Sequence, residues 1–469
     1  MKVVMEVIKR GSNKAQDLLV SDNFKFRKAY TYIDGRIRWR CTVKNCPAKI
    51  ITFNLETKTV GDHNHQCNER DVVRQKVRVS CKRKAASDLS EKPGIIISTA
   101  LNENPETCAS VLHFTDVKLL REAIYRERRH HMPKLPRNLL EVHEAVTKLQ
   151  PVSSTNEDFV LLNDYENNVI IFGCESSLQY LCEAEMLYVD GTFRYSATYF
   201  TQLFTLHFLH NGHYIPAVFC LLPNKHKDIY SLVFRFIVEK CECLGLKLQP
   251  KKIVADFEVA IHEAIKSTWS GTTQLLGCRF HLGQAWWRKL QSIGLASVFK
   301  DKSSDAGKWL KHCFGLSYLP PHEVGDCFVF DMTENKPLCS KTEQFSDYLV
   351  DNYISDEAIF NPAIWAELSS DATHTTNACE AFHRKFNALF YSAHPDIFKI
   401  ISVLRNIQLE TRLKINGMHL QANKKRKVEN KEKKIEDYIK KYREGQISRI
   451  AFVKYISHLN IPLCMTTLN

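Results

Sequence analysis

MLYVDGTF, residues 186–193, is followed closely by two more runs rich in apolar and aromatic residues, YFTQLFTLHFL (199–209) and YIPAVFCLLP (214–223). Short, nearly continuous apolar runs broken by polar turns predict strands buried on both faces. DIYSLVFRFIVEKCECLGL (228–246) then changes to helical periodicity. KKIVADF (251–257) predicts a further buried strand and EVAIHEAIKSTW (258–269) a helix. TQLLGCRFH (273–281) and GQAWWRKLQSI (283–293) repeat that strand-helix pair. Three strands, a helix, a strand, a helix and a strand predict an α/β fold, a mixed sheet covered by helices, over about residues 168–400.

Acidic residues punctuate these elements. Asp190 ends the strand MLYV, Asp256 ends KKIVA, and Glu380 lies in TTNACEAFHRKF (375–386), which predicts the first turns of a helix. Singly, each has a purely structural explanation. Asp190-Gly191 fits a hairpin turn, Asp256 a helix N-cap, and Asn377 with Glu380 a capping box.

Jointly they form a pattern. The strings Asp190-Gly191-Thr192-Phe193, Ala255-Asp256-Phe257-Glu258, Cys278-Arg279-Phe280-His281 and Thr376-Asn377-Ala378-Cys379-Glu380-Ala381-Phe382-His383 occur in this order. The pattern resembles the transposase domain of Mutator-like elements, the MULE family, over about residues 185–400. Ala378 stands where that family commonly has a second Asn. The resemblance implies a ribonuclease-H-like fold, whose element order also matches the one above. It further implies a catalytic triad of Asp190, Asp256 and Glu380, with Cys278, His281, Asn377 and His383 as active-site neighbours. Such enzymes cut and join DNA by in-line displacement at a phosphodiester, aided by two divalent ions about 4 Å apart. Mg²⁺ or Mn²⁺ takes hard oxygen ligands. The resemblance gives Asp190 to both ions, and Asp256 and Glu380 to one each. It also implies duplex DNA partners (terminal inverted repeats and target DNA) and a homo-oligomer on that DNA.

Upstream, FKFRKAYTYI (24–33), the turn signal Asp34-Gly35, RIRWRCTV (36–43) and AKIITF (48–53) predict a β-rich module. Cys41 and Cys46, then His63 and His65, offer two thiolates and two imidazoles, the usual shell of a structural Zn²⁺. Cys67 competes with His65 for the fourth position. Gly11, Leu18, Phe24, Phe26, Trp39, Cys41, Cys46, Ala48, His63 and His65 together resemble the FLYWCH zinc finger, which implies DNA or protein binding over residues 5–67.

Residues 68–150 form a basic connector in which DVKLLREAIYRERRH (116–130) predicts a helix. Val117, Leu120 and Ile124 lie on its inner stripe, Thr115 is its candidate cap, and Pro133 and Pro136 follow its end. Such helices with a basic face suit a helix-turn-helix-like DNA-binding unit. The 123 residues between Asp256 and Glu380 exceed a simple connection and predict a helical insertion over about 285–370. Trp286 reads either as core or as a stacking platform for an unpaired base. A loose set of His312, Cys313, His322 and Cys327 reads as core packing and loop rather than a metal site. Residues 401–469 form a basic helical tail, with an exposed helix near 430–444 and a nuclear-import-like run Lys424-Lys425-Arg426-Lys427.

Charge is unevenly spread along the 469 residues. Residues 1–150 hold 29 Lys+Arg against 17 Asp+Glu, residues 151–420 hold 24 against 30, and residues 421–469 hold 12 against 5. Basic flanks around a mildly acidic centre point to a polyanion, most simply DNA. No apolar run is long enough to span a bilayer, and the first twenty residues lack a signal-peptide core. The sixteen Cys then read as thiols and metal ligands of a nuclear protein. Two functions fit: a transposase that cuts and joins DNA, or a domesticated one kept as a non-catalytic, zinc-dependent DNA-binding transcriptional regulator.

Overall fold

The computed structural model describes residues 5–460 apart from 10–15, 55, 89–90, 154–155, 302, 335, 338, 371–376, 391 and 418–425. The chain divides between Leu135 and Pro136 into two units.

In the first unit, β1 (Met5–Ile8), β2 (Leu18–Ser21), β3 (Phe24–Thr31), β4 (Ile37–Cys41), β5 (Lys49–Phe53) and β6 (Glu56–Val60) pair in sequence order as an antiparallel sheet. Gly35, at φ +87°, makes the turn between β3 and β4, where the Asp34 carboxylate accepts the Arg36 N–H at 3.1 Å. Alternation along β4 turns Trp39 and Cys41 inward and leaves Arg40 outside. Helices α1 (Glu69–Ser87), α2 (Pro93–Leu101), α3 (Pro105–Val111) and α4 (Phe114–His131) follow. Val73, Val77, Cys81 and Ala85 recur every fourth residue on α1 and meet Leu120 and Ile124 of α4. The cap of α4 differs from the expected Thr115. The Asp116 carboxylate accepts the His113 N–H at 3.0 Å, while Thr115 accepts from Arg70 at 3.1 Å. Asp116 is buried and also paired with Arg70 and Arg74, so it fixes the helix start from inside.

The second unit opens with α5 (Leu139–Leu149), β7 (Val160–Asp164), β8 (Val169–Gly173) and α6 (Glu175–Glu183). The elements expected from sequence come next: β9 (Met186–Thr192), β10 (Gln202–His210), β11 (His213–Leu222), α7 (Lys227–Cys243), β12 (Lys252–Ala255), α8 (Val259–Thr268), β13 (Gln274–Gly277) and α9 (Arg279–Ser292). Strand order is β13-β12-β9-β10-β11-β8-β7, with β12 parallel to β9 and β13 and the other pairs antiparallel. This is the mixed sheet of a ribonuclease-H-like fold. One face packs Val189, Phe204 and Val218 on Tyr230, Phe234 and Ile265 of α7 and α8. The other packs Phe172, Leu203 and Phe219 on helices α15 (Asn377–Ala388) and α16 (Ile397–Asn416).

Between α9 and α15 run α10 (Ala296–Lys300), α11 (Asp305–Cys313), α12 (Pro321–Asp326), α13 (Ser340–Leu349) and α14 (Pro362–Trp365), around a core of Trp286, Trp309, Phe314, Phe345 and Trp365. The tail helices α17 (Arg426–Arg443) and α18 (Arg449–Asn460) close that same core with Ile435, Ile439, Phe452, Val453 and Ile456. The exposed-helix expectation for the tail is therefore corrected: α17 is charged on one face and buries the other. Ile439→Ala should destabilise the second unit by about 3 kcal/mol in denaturant unfolding. A change below about 0.5 kcal/mol would mean that α17 does not pack as described. Arg426 is the one member of the basic run whose side chain is described; those of Lys424, Lys425 and Lys427 lie outside the described residues.

Candidate functional site

Register builds the acidic site. Tyr188 on β9 pairs with Val254 on β12, and Val254 with Leu276 on β13. Two residues further along each strand path come Asp190, Asp256 and Cys278, so these three stand level across the carboxyl ends of adjacent parallel strands. That edge is where open α/β sheets hold their ligands. Tyr188, Val254, Leu276 and Cys278 pack with Cys379 of α15, which carries Glu380 and His383 over the same edge.

The single-residue structural explanations do not hold for the two aspartates. Asp190-Gly191 lies inside β9, not in a turn, and a Cβ on Gly191 would stand 2.6 Å from Gln202 Oε1. Asp256 does not cap α8, whose cap position is Glu258; its Oδ1 accepts the Phe257 N–H at 2.6 Å. The Asn377 side chain lies outside the described residues.

Imidazoles join the carboxylates. His281, in the first turn of α9, has Nδ1 3.6 Å from Asp256 Oδ1 and Nε2 3.1 Å from Glu380 Oε1. Burial works against a charged ring there. Hydrogen bonds to Cys278 and Glu380, with the charges of Cys278 and Asp256, nevertheless push His281 up to about 12. His383 Nδ1 lies 3.1 Å from Asp190 Oδ2, both side chains being buried. Burial alone would raise the Asp190 carboxyl. The hydrogen bond and charge of His383, then His281 and the Gly191 N–H, hold it below the usual carboxylate range. Behind His383, Thr205 and His207 of β10 continue the chain of polar groups, and neither belongs to the acid, Cys and His motifs of the sequence. Their signal was present as two polar residues, two apart, inside the apolar run LFTLHFL.

Cys41, Cys46, His63 and His65 form the one His/Cys/Asp/Glu group among the described residues whose ligand atoms all lie within 4.8 Å of one another. Cys41 Sγ is 3.2 Å from His65 Nε2, Cys46 Sγ 3.4 Å from His63 Nδ1, and the two ring nitrogens are 3.2 Å apart. A tetrahedral ion with ordinary Zn–S and Zn–N bonds needs about 3.3–3.6 Å between such atoms, so the quartet fits structural zinc. His65 Nδ1 lies 2.9 Å from the Gln66 carbonyl, a bond that leaves Nε2 free to ligate. Phe24 stacks on His63 with ring centroids 3.6 Å apart. Cys67 is exposed and outside the quartet. Asp190, Asp256 and Glu380 are not drawn as close as the zinc quartet, and His281 stands between the last two.

The looser set is also resolved. Cys313 and Cys327 are buried in the insertion core, His322 is exposed, and no metal group includes them among the described residues. Trp286 is fully buried, with its indole N–H unpartnered, which makes it core rather than a platform for bases.

A ribonuclease-H-like sheet with acids at its carboxyl edge, joined to a Cys₂His₂ module, defines a transposase-like protein with a zinc finger. The family model of the MULE transposase domain matches residues 186–285, and that of the FLYWCH zinc finger domain matches residues 11–65. The chain thus carries both domains, which together imply DNA binding. No curated protein matches it. Among the described residues, no helix is long and apolar enough to cross a membrane.

Proposed function

We propose that the chain is a nuclear DNA transposase of the Mutator-like type. The first unit grips duplex DNA at element ends, and the second cuts strands and joins them to a target, working as a homo-oligomer. The observation that carries this reading is the level row of Asp190, Asp256 and Cys278 under Glu380, His281 and His383. Asp190, Asp256 and Glu380 are the residues that would hold two Mg²⁺ or Mn²⁺ ions, an oxygen-only donor set suited to them. Such ions supply charge neutralisation at the phosphate and a nucleophile active at neutral pH.

The chain's own groups do the rest. His383 keeps Asp190 ionised and oriented. His281 compensates Asp256 and Glu380 and, once they are neutralised otherwise, is aimed to donate to a phosphate oxygen. Cys278, buried beside it, anchors the turn that carries His281. Water, then a DNA 3′-hydroxyl, is the nucleophile, so no enzyme side chain forms a covalent intermediate.

Within the connector, α4 exposes Phe114, Lys118, Arg121, Tyr125 and Arg129 at helical spacing on one stripe. Cationic and aromatic side chains interleaved on a helix supported from behind suit a DNA groove. Arg121→Ala with Arg129→Ala should lower the slope of log affinity against log salt by about two, measured by fluorescence anisotropy on duplex DNA. An unchanged slope would remove α4 from the interface.

One observation favours the rival reading, a retired transposase acting as a zinc-dependent DNA-binding regulator. His281 occupies the space between Asp256 and Glu380 where cations would lie. Sequencing the DNA flanking the gene in several individuals supplies the substrate: inverted repeats bounded by short direct duplications. Purified chain that nicks those ends with Mg²⁺ or Mn²⁺ upholds the transposase; binding without nicking leaves the regulator.

A further inference from the structure

A second layer of polar groups is buried behind the acidic row, and no step above uses it. Thr205 and His207 lie on one face of β10, at 0% and 1% exposure, among Leu203, Phe204, Leu206 and Phe208. Register sets Thr205 directly opposite Asp190. Its hydroxyl is 3.1 Å from the Asp190 carbonyl, 3.1 Å from His383 Nε2 and 3.0 Å from His207 Nε2. A hydroxyl has one proton and two lone pairs. That single hydroxyl can therefore serve the carbonyl and both rings at once. The His383 ring is thereby held at both ends: Nε2 on Thr205, and Nδ1 on Asp190 Oδ2 at 3.1 Å.

Such a chain costs free energy to bury unless every member is bonded, and apolar residues of the same shape would serve the core as well or better. Packing therefore does not account for it. Its specific effect is to fix the plane of one imidazole whose far nitrogen meets one carboxylate. We infer that Thr205 and His207 are positioning residues, which lock the His383 ring and through it the Asp190 carboxylate. The inference rests on the reading of Asp190 as a ligand of the catalytic ions. A partner one bond behind a metal ligand, as His383 is to Asp190, typically changes metal affinity or activity by about 10–100-fold when lost, and Thr205 is what holds that partner in place.

Thr205→Val keeps the size and branching of the side chain and deletes only the hydroxyl; Thr205→Ser returns it. In the full, zinc-loaded chain, Mn²⁺ uptake followed by electron paramagnetic resonance should weaken at least about tenfold in T205V and stay within about twofold of wild type in T205S. Histidine-labelled protein gives an ion-free readout. The Nε2 nitrogen resonance of His383, identified by its loss in His383→Gln, should shift in T205V and hold its wild-type position in T205S. T205V that binds Mn²⁺ as wild type does would overturn the positioning role. Wild-type protein with no Mn²⁺ uptake sensitive to Asp190→Asn would instead overturn the two-ion reading. The resonance then decides the lock alone: an unmoved signal in T205V refutes it, and a shifted one supports it.

Discussion

Asp190→Asn should reduce DNA strand cleavage by on the order of 10³-fold or more while duplex affinity stays within about twofold. The substitution is nearly isosteric, and the amide oxygen can still accept the Gly191 N–H that Asp190 Oδ1 accepts at 2.8 Å. What disappears is the negative charge, and with it the pairing to His383 and the anionic oxygens a divalent ion requires. Asp190 is only 6% exposed, so it contributes little to any DNA-facing surface, and binding carried by the finger and connector has no reason to change. Asp256→Asn and Glu380→Gln should produce similar losses. Pairwise combinations should be little worse than the single variants, because groups that hold one catalytic centre fail together. Equal cleavage by wild type and Asp190→Asn would take Asp190 out of the chemistry and leave the acidic row as a structural feature.

How much of this site was legible in the sequence depended on whether its parts were local. Asp190 lies inside β9 and Asp256 directly follows β12, both in strongly apolar surroundings, and the family match spans both, together with Cys278 and His281. Glu380 lies 95 residues beyond the end of that match at residue 285, so its membership rests on α15 folding back over the carboxyl edge. Long-range return of this kind leaves no periodic mark in a sequence. The connector shows the opposite difficulty. α1 looked like a basic stretch because its buried stripe is built of Val73, Val77, Cys81 and Ala85, small residues that give little contrast against the surrounding Lys and Arg. α17 hides its buried face for a related reason. Its apolar stripe of Ile435 and Ile439, with Tyr438 and Tyr442 beside it, is narrow, and the charged residues between gave the segment the look of a solvated helix. Thr205 and His207 carry no such mark, being neither acids nor Cys and His in ligand spacing. A polar pair inside a buried strand is an equally physical signal, since every such group must find a partner.

The finger offers the other large effect. Its core is Leu19, Phe26, Trp39, Cys41, Cys46, Ala48 and Ile50, and two of these seven are the thiol ligands themselves. A module this small buries too little apolar surface to be secure without a staple. Structural zinc contributes about 10–16 kcal/mol in finger peptides, comparable with or larger than the stability of a whole domain at about 5–15 kcal/mol. Cys41→Ser should therefore lower zinc content from one ion per chain to none, as read by atomic absorption, and melt the six-stranded sheet. The second unit has separate hydrophobic cores of its own and should keep its unfolding transition. DNA affinity should fall by the finger's share, leaving the connector's salt-dependent part. Cys67→Ser is the matching control, because Cys67 is exposed and His65 completes the quartet: its zinc content should stay at one. Zinc retained in Cys41→Ser would take Cys41 out of the shell and break the geometric assignment. Loss in both would mean that Cys67 holds the fourth position in place of His65.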